Sequence, residues 1–434
     1  MTSKDVAEAF VWFWLPGRTE PVVAGRVSAQ GETLQFNYGR SYLERDDAIA
    51  IYLPELPLEQ GLLPLPNGLS MPSSLRDAAP DAWGRRVILN RTFGAKGREI
   101  DSQDLSELVF LLESGSDRIG ALDFQASATE YIPRQHKNAT LEELMESAAR
   151  VEAGIPLTPE LDQALHHGSS IGGARPKALI ESDEKKFIAK FSASNDVYSV
   201  VKAEFIAMRL GALTGLTVAP VSMVQASGKD VMLIERFDRI KAKVGWRRKS
   251  MVSALTLFGL DEMMARYASY EQLCEIIRHR FENPKATLQE LYARLVFNIL
   301  CGNTDDHARN HAAFWDGQNL QLTPAYDICP QARSGREASQ AMLIHSDQRM
   351  SRLQTALEAA RHFLIKEKDA IQIIEKQISV IAQNWEDVCK EASLSEVDKS
   401  LFWGRQFLNP FAFEGLEGEA GCLATLHGEI IGRS

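Results

Sequence analysis

The ten residues GNTDDHARNH, positions 302 to 311, place two Asp, two His, two Asn and one Arg directly after a helix-like apolar run. A loop can be this polar for solubility alone, so its meaning depends on what the rest of the chain supplies. Asp305 and Asn310 stand five apart, the D-x-x-x-x-N spacing of a phosphoryl-transfer loop. In such a loop a carboxylate orients an attacking hydroxyl and accepts its proton, while an amide oxygen helps hold a metal ion. A second carboxylate, Asp327 in LTPAYDICP, arrives seventeen residues after Asn310 and offers the hard oxygen that Mg2+ prefers. Asp306 is the competing candidate for the base; the spacing to Asn310 selects Asp305.

Transfer of a phosphoryl group also needs a cradle for the nucleotide, and three earlier stretches could build one. SSIGGARPK (169 to 177) is a small-residue turn entering a strand. Gly172 and Gly173 allow close backbone approach to an anion, and Ser169, Ser170, Arg175 and Lys177 add hydroxyls and positive charge. A Gly-Gly turn alone is more often structural, and neither a P-loop nor a GxGxxG pattern is present. Lys190 in FIAKF lies on a mixed strand face, where a buried ammonium requires anionic partners such as a phosphate. Glu204, fourteen residues later on a helix, is a candidate to position that lysine. VMLIERF (231 to 237) is a buried strand ending in Glu235, Arg236 and Phe237, whose backbone could read an adenine edge.

The elements that must carry these groups follow from periodicity. FVWFWL, VVAGRVS, TLQFNYG and AIAIYL, between Ala9 and Leu53, read as four short strands of one antiparallel sheet. Helical patterns follow in DAWGRRVILNRTF, DLSELVFLLESG and TLEELMESAARVEAG, the last opened by a Thr140/Glu143 capping box. Residues 154 to 168 read as a linker. KALIES and KFIAKFS form a hairpin, YSVVKAEFIAMRLGALTG a helix closed by Gly215, and TVAPVSMV and VMLIERF two further strands, giving a β-β-α-β-β unit. From Ser253 onward the pattern is mostly helical, with long amphipathic stretches such as KDAIQIIEKQISVIAQNWEDVCKEA.

At 434 residues the chain exceeds one ordinary core, and 45% apolar with 24% charged residues is the globular range. Five cysteines without CxxC pairing suit a reducing, cytoplasmic setting. No signal-like or bilayer-length apolar segment is read, so no membrane partner is expected. The formal net charge of -10 disfavours non-specific nucleic-acid binding. A local exception is RIKAKVGWRRKS (239 to 250), read as a solvated loop or a phosphate- or partner-contacting patch.

With these stretches in order, the sequence resembles the HipA family of serine/threonine kinase toxins of type II toxin–antitoxin systems. The resemblance runs through PDAWGRR, GALDF, SSIGGARPK, FIAKF, ERFDR, NTDDHARN and LTPAYDI, nearly the whole chain. It implies an α+β, two-lobed protein-kinase-like fold with an extra N-terminal β-rich subdomain and a mostly helical C-terminal lobe. The corresponding segments are 1–153 for the added subdomain, 154–240 for the N-lobe and 241–434 for the C-lobe. It implies ATP and Mg2+ as cofactors, a HipB-like helix-turn-helix antitoxin as partner with DNA reached mainly through it, and a protein substrate such as an aminoacyl-tRNA synthetase. By motif, Ser170, with Ser169 as alternative, is the autophosphorylated loop serine. Gly172, Gly173, Ala174, Arg175, Pro176 and Lys177 complete the nucleotide loop, and Lys190 binds phosphate. Glu235, Arg236 and Phe237 form the hinge, His307, Ala308, Arg309 and Asn310 add nucleotide contacts, Asp305 is the base, and Asn310 and Asp327 hold magnesium. The chain departs from relatives at Asp306, where some have Gly, and at Arg175-Pro176, where the best-known relative has Gln-Glu.

Three other readings compete. A small-molecule kinase of the aminoglycoside or choline type shares the D-x-x-x-x-N logic but leaves the serine-rich loop and N-terminal region unexplained. A catalytically weak scaffold for a DNA-binding antitoxin would not need Lys190, Asp305, Asn310 and Asp327 together. A metal-dependent hydrolase would use Asp305, Asp306, His307 and His311.

Overall fold

The structure is a computed structural model that describes residues 6–98, 105–134, 139–158, 161, 175–192, 196, 198–333 and 335–432. Two compact units divide the chain: Met1–Asn195 with Val224–Val252 and Phe314–Gln318, and Asp196–Met223 with Ser253–Ala313 and Asn319–Ser434.

In the first unit, β1 (Glu8–Phe13), β2 (Val22–Gln30), β3 (Thr33–Tyr38) and β4 (Leu122–Gln125) form an antiparallel sheet in the order β3-β2-β1-β4. Ala9, Val11 and Phe13 of β1 are fully buried, the two-residue period of a strand with one face in the core. The sequence places the fourth strand at AIAIYL, and here the structure differs. Ile51 gives its backbone N–H to the Tyr38 hydroxyl at 2.9 Å, and that hydroxyl donates to the Leu56 carbonyl at 2.7 Å. A side chain therefore takes the bond that a strand partner would have used, and the sheet is completed by β4 from the GALDF stretch.

A second sheet contains β5 (Lys177–Glu181), β6 (Lys186–Phe191), β7 (Val221–Ala226) and β8 (Lys229–Glu235) in the order β5-β6-β8-β7, with only the first residues of β7 outside this unit. Ala178, Ala189 and Val231 form a core with Leu144, Ala148 and Val151 of helix Leu141–Ala153. That helix opens on the expected capping box: Thr140 Oγ1 accepts from Glu143 N–H at 3.1 Å, and the Glu143 carboxylate accepts from Thr140 N–H at 2.8 Å.

RIKAKVGWRRKS is a solvated loop only in part. It forms β9 (Arg239–Lys241) and β10 (Trp246–Arg248), an antiparallel pair, with Arg239 and Arg248 buried. Asp117 receives Lys186 Nζ at 2.6 Å, Arg236 at 3.1 Å and Arg239 at 2.8 Å. Asp238 pairs with the same two arginines at 2.8 and 2.9 Å and accepts from Gly120 N–H at 2.8 Å. Of the six basic residues in this stretch, the network takes Arg239 by direct contact and Arg248 is buried with its guanidinium on the Ser116 carbonyl at 2.9 Å, while Lys241, Lys243 and Arg247 stay exposed.

In the second unit, helix Pro284–Leu300 is the core rod, with Leu288, Leu291, Tyr292, Leu295, Val296 and Phe297 fully buried. Helix Glu367–Glu391 lays Ala370, Ile374, Ile378 and Ile381 inward at helical spacing, and its Gln377 donates to the Ala293 carbonyl at 2.8 Å. Helix Val200–Thr214, closed by Gly215 in the left-handed region, groups with this unit because Arg209 pairs with Glu391 at 3.0 Å and Lys202 Nζ donates to the Ser393 carbonyl at 2.7 Å. The units therefore cut the chain differently from three successive segments. After β11 (Ser250–Ser253), strands β12 (Ala312–Trp315) and β13 (Leu320–Leu322) follow the polar loop as neighbours in one sheet.

Candidate active site

The polar loop is launched from the rigid end of helix Pro284–Leu300. Gly302 has φ 71°, and a Cβ there would stand 2.6 Å from the Gln406 carbonyl oxygen, so the reversal requires glycine. Beyond it the backbone is tied down in sequence. Asn303 N–H donates to the Asn298 carbonyl at 2.9 Å, Gln331 N–H to Gly302 at 3.0 Å and Ala341 N–H to Thr304 at 3.0 Å. His307 N–H donates to the Asp305 carbonyl at 2.9 Å, and Tyr326 hydroxyl to the Arg309 carbonyl at 2.7 Å.

The two adjacent aspartates have opposite environments, which separates the candidates for the base. Asp306 is buried; it accepts a short hydrogen bond from the Tyr270 hydroxyl and faces His311 Nε2 at 2.9 Å. Burial alone would raise its pKa, but His311 and Tyr270 more than offset this and bring it below the ordinary carboxylate value. Asp305 is exposed as a residue, yet partial desolvation of its carboxyl raises its pKa, His307 opposes the rise, and the Asp327 and Asp306 charges add to it. An accessible carboxylate with a raised pKa suits proton acceptance; a buried, hydrogen-bonded one suits positioning.

Asn310, 8% exposed, donates from its amide to the Asp305 carbonyl at 3.0 Å, which leaves the amide oxygen as the atom a cation can use. Asp327 has φ 58°, in the left-handed region where Asp and Asn are among the few side chains tolerated. Its segment is anchored next door: Ala325 N–H donates to Thr217 at 2.8 Å, and Ala219 N–H donates to Ala325 at 2.9 Å. Asp305, Asn310 and Asp327 thus present two carboxylates and an amide oxygen, the donor chemistry that fits Mg2+. A cleft beside them is lined by Asn298, Asn303, Asp306, Asn310, His311 and Tyr326 among others, and Asn303 Oδ1 there is buried without a hydrogen-bond partner among the described residues.

In the first unit, Lys177 and Lys190 are directly opposite on β5 and β6 and only 3% and 8% exposed. Two buried lysines paired across neighbouring strands need negative charge nearby, and a polyphosphate is a ligand of that kind. Pro176 leads into β5, its carbonyl accepting from Phe191 N–H at 3.1 Å. Glu235 pairs with Lys185 at 2.6 Å, and Phe237 meets the Phe314 ring edge-on at 5.9 Å. The Arg236 side chain does not face a ligand: it is buried against Asp117 and Asp238, so only its backbone remains for a hinge role. Glu204 is buried on helix Val200–Thr214 in the second unit. In the loop itself Ala308 is buried, His307 half-buried, and Arg309 exposed and paired with Glu262 at 3.0 Å. Ser169, Ser170, Gly172, Gly173 and Ala174 lie outside the described residues.

Sequence reading missed Tyr270, Asp306, His311 and Asn303 as supports of the loop. His311 and Asn303 stand in the GNTDDHARNH cluster, but the D-x-x-x-x-N spacing involves neither, and His311 enters the sequence reading only as a metal ligand of the hydrolase alternative. Tyr270, thirty-six residues before Asp306, had no local signal. Asp306→Asn is expected to lower stability by about 1–3 kcal/mol, the worth of hydrogen bonds to a charged group. The sign follows from its lowered pKa: the carboxylate's contribution is full above the unfolded value near ~3.9 and fades as pH falls through the folded one. Acid-titration melts of the two proteins should converge at the lowest pH.

Comparison with known proteins adds to this geometry. Residues 18–125 match the family described as HipA N-terminal domain, and residues 169–385 match the HipA-like C-terminal domain. The Serine/threonine-protein kinase toxin HipA of Shewanella oneidensis is 27% identical over 188 residues, covering 37% of this chain and 42% of the relative. Matches to curated relatives span 31% to 55% of those proteins' own length. A solved structure of the Shewanella oneidensis HipA, HipB and operator DNA complex contains a chain that aligns with a TM-score of 0.67 at 18% identity, covering 98% of this chain and 97% of that one. At that identity the likeness establishes the fold: a HipA-like, α+β architecture.

Proposed function

The chain belongs to the HipA family, and from that premise we propose that it is an ATP- and Mg2+-dependent serine/threonine protein kinase that acts as a toxin. The observation that carries the reading is the division of roles within one loop and its flank. Asp305 is accessible with a raised pKa, Asp306 is locked to Tyr270 and His311, and Asn310 and Asp327 offer further oxygens.

When bound, Mg2+-ATP supplies the transferable phosphoryl group and a divalent charge that draws electron density from it. Asp305 orients the incoming hydroxyl and accepts its proton. Asn310 and Asp327 would hold the cation, and the Asn310 amide donates to the Asp305 carbonyl at 3.0 Å, tying the two positions together. Lys190 and Lys177 bind phosphate oxygens, with Glu204 assigned to position Lys190. Residues 172–177 are assigned to the nucleotide loop, the 235–237 backbone to the adenine edge, and residues 307–310 to further contacts. Ser170, or Ser169, receives phosphate in cis. In this reading 154–240 and 241–434 are the two kinase lobes and 1–153 an added subdomain.

The Shewanella oneidensis structure contains HipB and operator DNA. By analogy a HipB-like helix-turn-helix antitoxin is the partner here, with DNA reached mainly through it; a net charge of -10 agrees with indirect contact. The trans substrate is a protein, with aminoacyl-tRNA synthetases as the class to try first. Free cysteines suit the cytoplasm, and no helix among the described residues is long and apolar enough to cross a membrane.

Incubation of the purified chain with γ-labelled ATP and Mg2+ should place label on Ser169 or Ser170. Label on a sugar or amine instead would make it a small-molecule kinase, and no transfer to any acceptor would make it a scaffold. The pH profile gives a second check. Because the Asp305 carboxyl titrates above the ordinary ~3.9 and must be ionised to act, the acid limb of the rate should lie above that value. His307 holds that pKa down, so His307→Gln should move the limb to still higher pH.

A further inference from the structure

Away from the loop, the second unit gathers three side chains that the proposed reaction does not use. Glu271 lies in the first turn of helix Tyr270–Arg280, His345 in the turn closed by the His345–Gln348 bridge, and His362 in the 3-10 helix Ala360–Phe363. One oxygen, Glu271 Oε1, meets His345 Nδ1 at 2.7 Å, His362 Nε2 at 3.1 Å and Ser346 N–H at 3.0 Å. One ligand atom from each of the three side chains lies within 4.8 Å of the others. The side chains keep 29%, 18% and 25% exposure for Glu271, His345 and His362, so the group is open to ions from solvent yet walled by protein.

We propose that Glu271, His345 and His362 form a binding site for a zinc-class divalent cation. Two imidazole nitrogens and one carboxylate oxygen are a donor set that favours late first-row metals; magnesium, which prefers oxygen throughout, is disfavoured there. Three protein ligands leave a fourth position of a tetrahedron for water. Small side-chain rotations bring the ligand atoms to about 2.0–2.2 Å from an ion placed between them. Ser346 N–H on Oε1 then acts as the outer hydrogen bond that orients the carboxylate. Arg278, which donates to the His362 carbonyl, and Arg361 beside His362 bring positive charge that weakens the site, so moderate affinity is expected.

The location gives the ion a structural consequence. The three ligands come from three separate segments, so a bound cation ties them together and stabilises only the folded chain. It also fixes the helix start next to Tyr270, whose hydroxyl holds Asp306.

The test uses the full chain stripped with a chelator and titrated with Zn2+ by calorimetry and elemental analysis, beside a His345→Gln/His362→Gln double variant. Expected are one equivalent of zinc bound saturably, a melting temperature raised by a few degrees, and loss of both in the variant. Equal zinc uptake by both proteins would overturn the proposal, since other histidines would then be responsible. Should the variant fail to fold, Co2+ added to the unaltered chain decides. Visible d–d bands of a four- or five-coordinate nitrogen–oxygen site, saturating at one equivalent, support it. A spectrum no different from the aqueous ion refutes it.

Discussion

Asp305→Asn is expected to slow phosphotransfer by about 10²–10⁴-fold, the usual contribution of a positioned general base. The substitution preserves shape and removes only the proton acceptor, because the residue is exposed and its backbone carbonyl, not its side chain, receives the Asn310 amide. Nucleotide affinity should change little and the melting temperature should hold or rise, since a carboxylate that burial and the neighbouring charges of Asp327 and Asp306 disfavour has been neutralised. A single-turnover assay with γ-labelled ATP, with calorimetric ATP binding beside it, separates the two effects. Loss of rate together with loss of folding would assign Asp305 a structural role instead.

The second large effect lies far from the chemistry. Asp117→Ala removes the carboxylate that faces Lys186, Arg236 and Arg239, all at least nine-tenths buried, and leaves three cations partly uncompensated. Breaking one buried pair typically costs about 3–5 kcal/mol, and this site should fall at the upper end even though Asp238 retains two of the arginines. Burial would raise the Asp117 pKa, but Arg236, Arg239 and Lys186 together drive it well below the usual carboxylate range. Its contribution is therefore complete above the unfolded value near ~3.9 and lost only as pH falls through the lower folded one. The deficit should be constant between neutral pH and about pH 5, read from the denaturant midpoint of the transition that reports the first unit. Glu44→Ala, which breaks the exposed Arg40–Glu44 pair, should leave the midpoint unchanged.

The same network shows where sequence reading stops. RIKAKVGWRRKS carries six basic residues, and a linear reading can only count them. Which are solvated depends on Asp117 and Asp238, one of them more than a hundred residues away. Likewise, Arg236 stood next to two plausible hinge residues, but its side chain turns inward to those carboxylates. AIAIYL alternates well enough for a strand, yet the Tyr38 hydroxyl reaches it first. Patterns set by neighbours were legible: the Thr140 capping box, the Gly215 helix stop, the β5–β6 hairpin and the amphipathic helix Glu367–Glu391.

At the candidate site, the sequence offers the proposed reactive groups but not the side chains that hold the loop. Five-residue spacing favours Asp305 over Asp306 as base, and the two differ in burial, Asp305 exposed and Asp306 buried. The left-handed backbone of Asp327 has no sequence signature beyond the tolerance of Asp for that conformation. The convergence of Tyr270 and His311 on Asp306 comes from tertiary packing alone.

The division of labour between Asp305 and Asp327 is tested most directly by calorimetric ATP binding to the unaltered chain, Asp305→Asn and Asp327→Asn, with Mg2+ and with chelator. Asp327→Asn should abolish the Mg2+-dependent part of the affinity while Asp305→Asn keeps it. Equal Mg2+ dependence in all three proteins, or its loss in Asp305→Asn alone, would contradict the assignment of base and cation ligand.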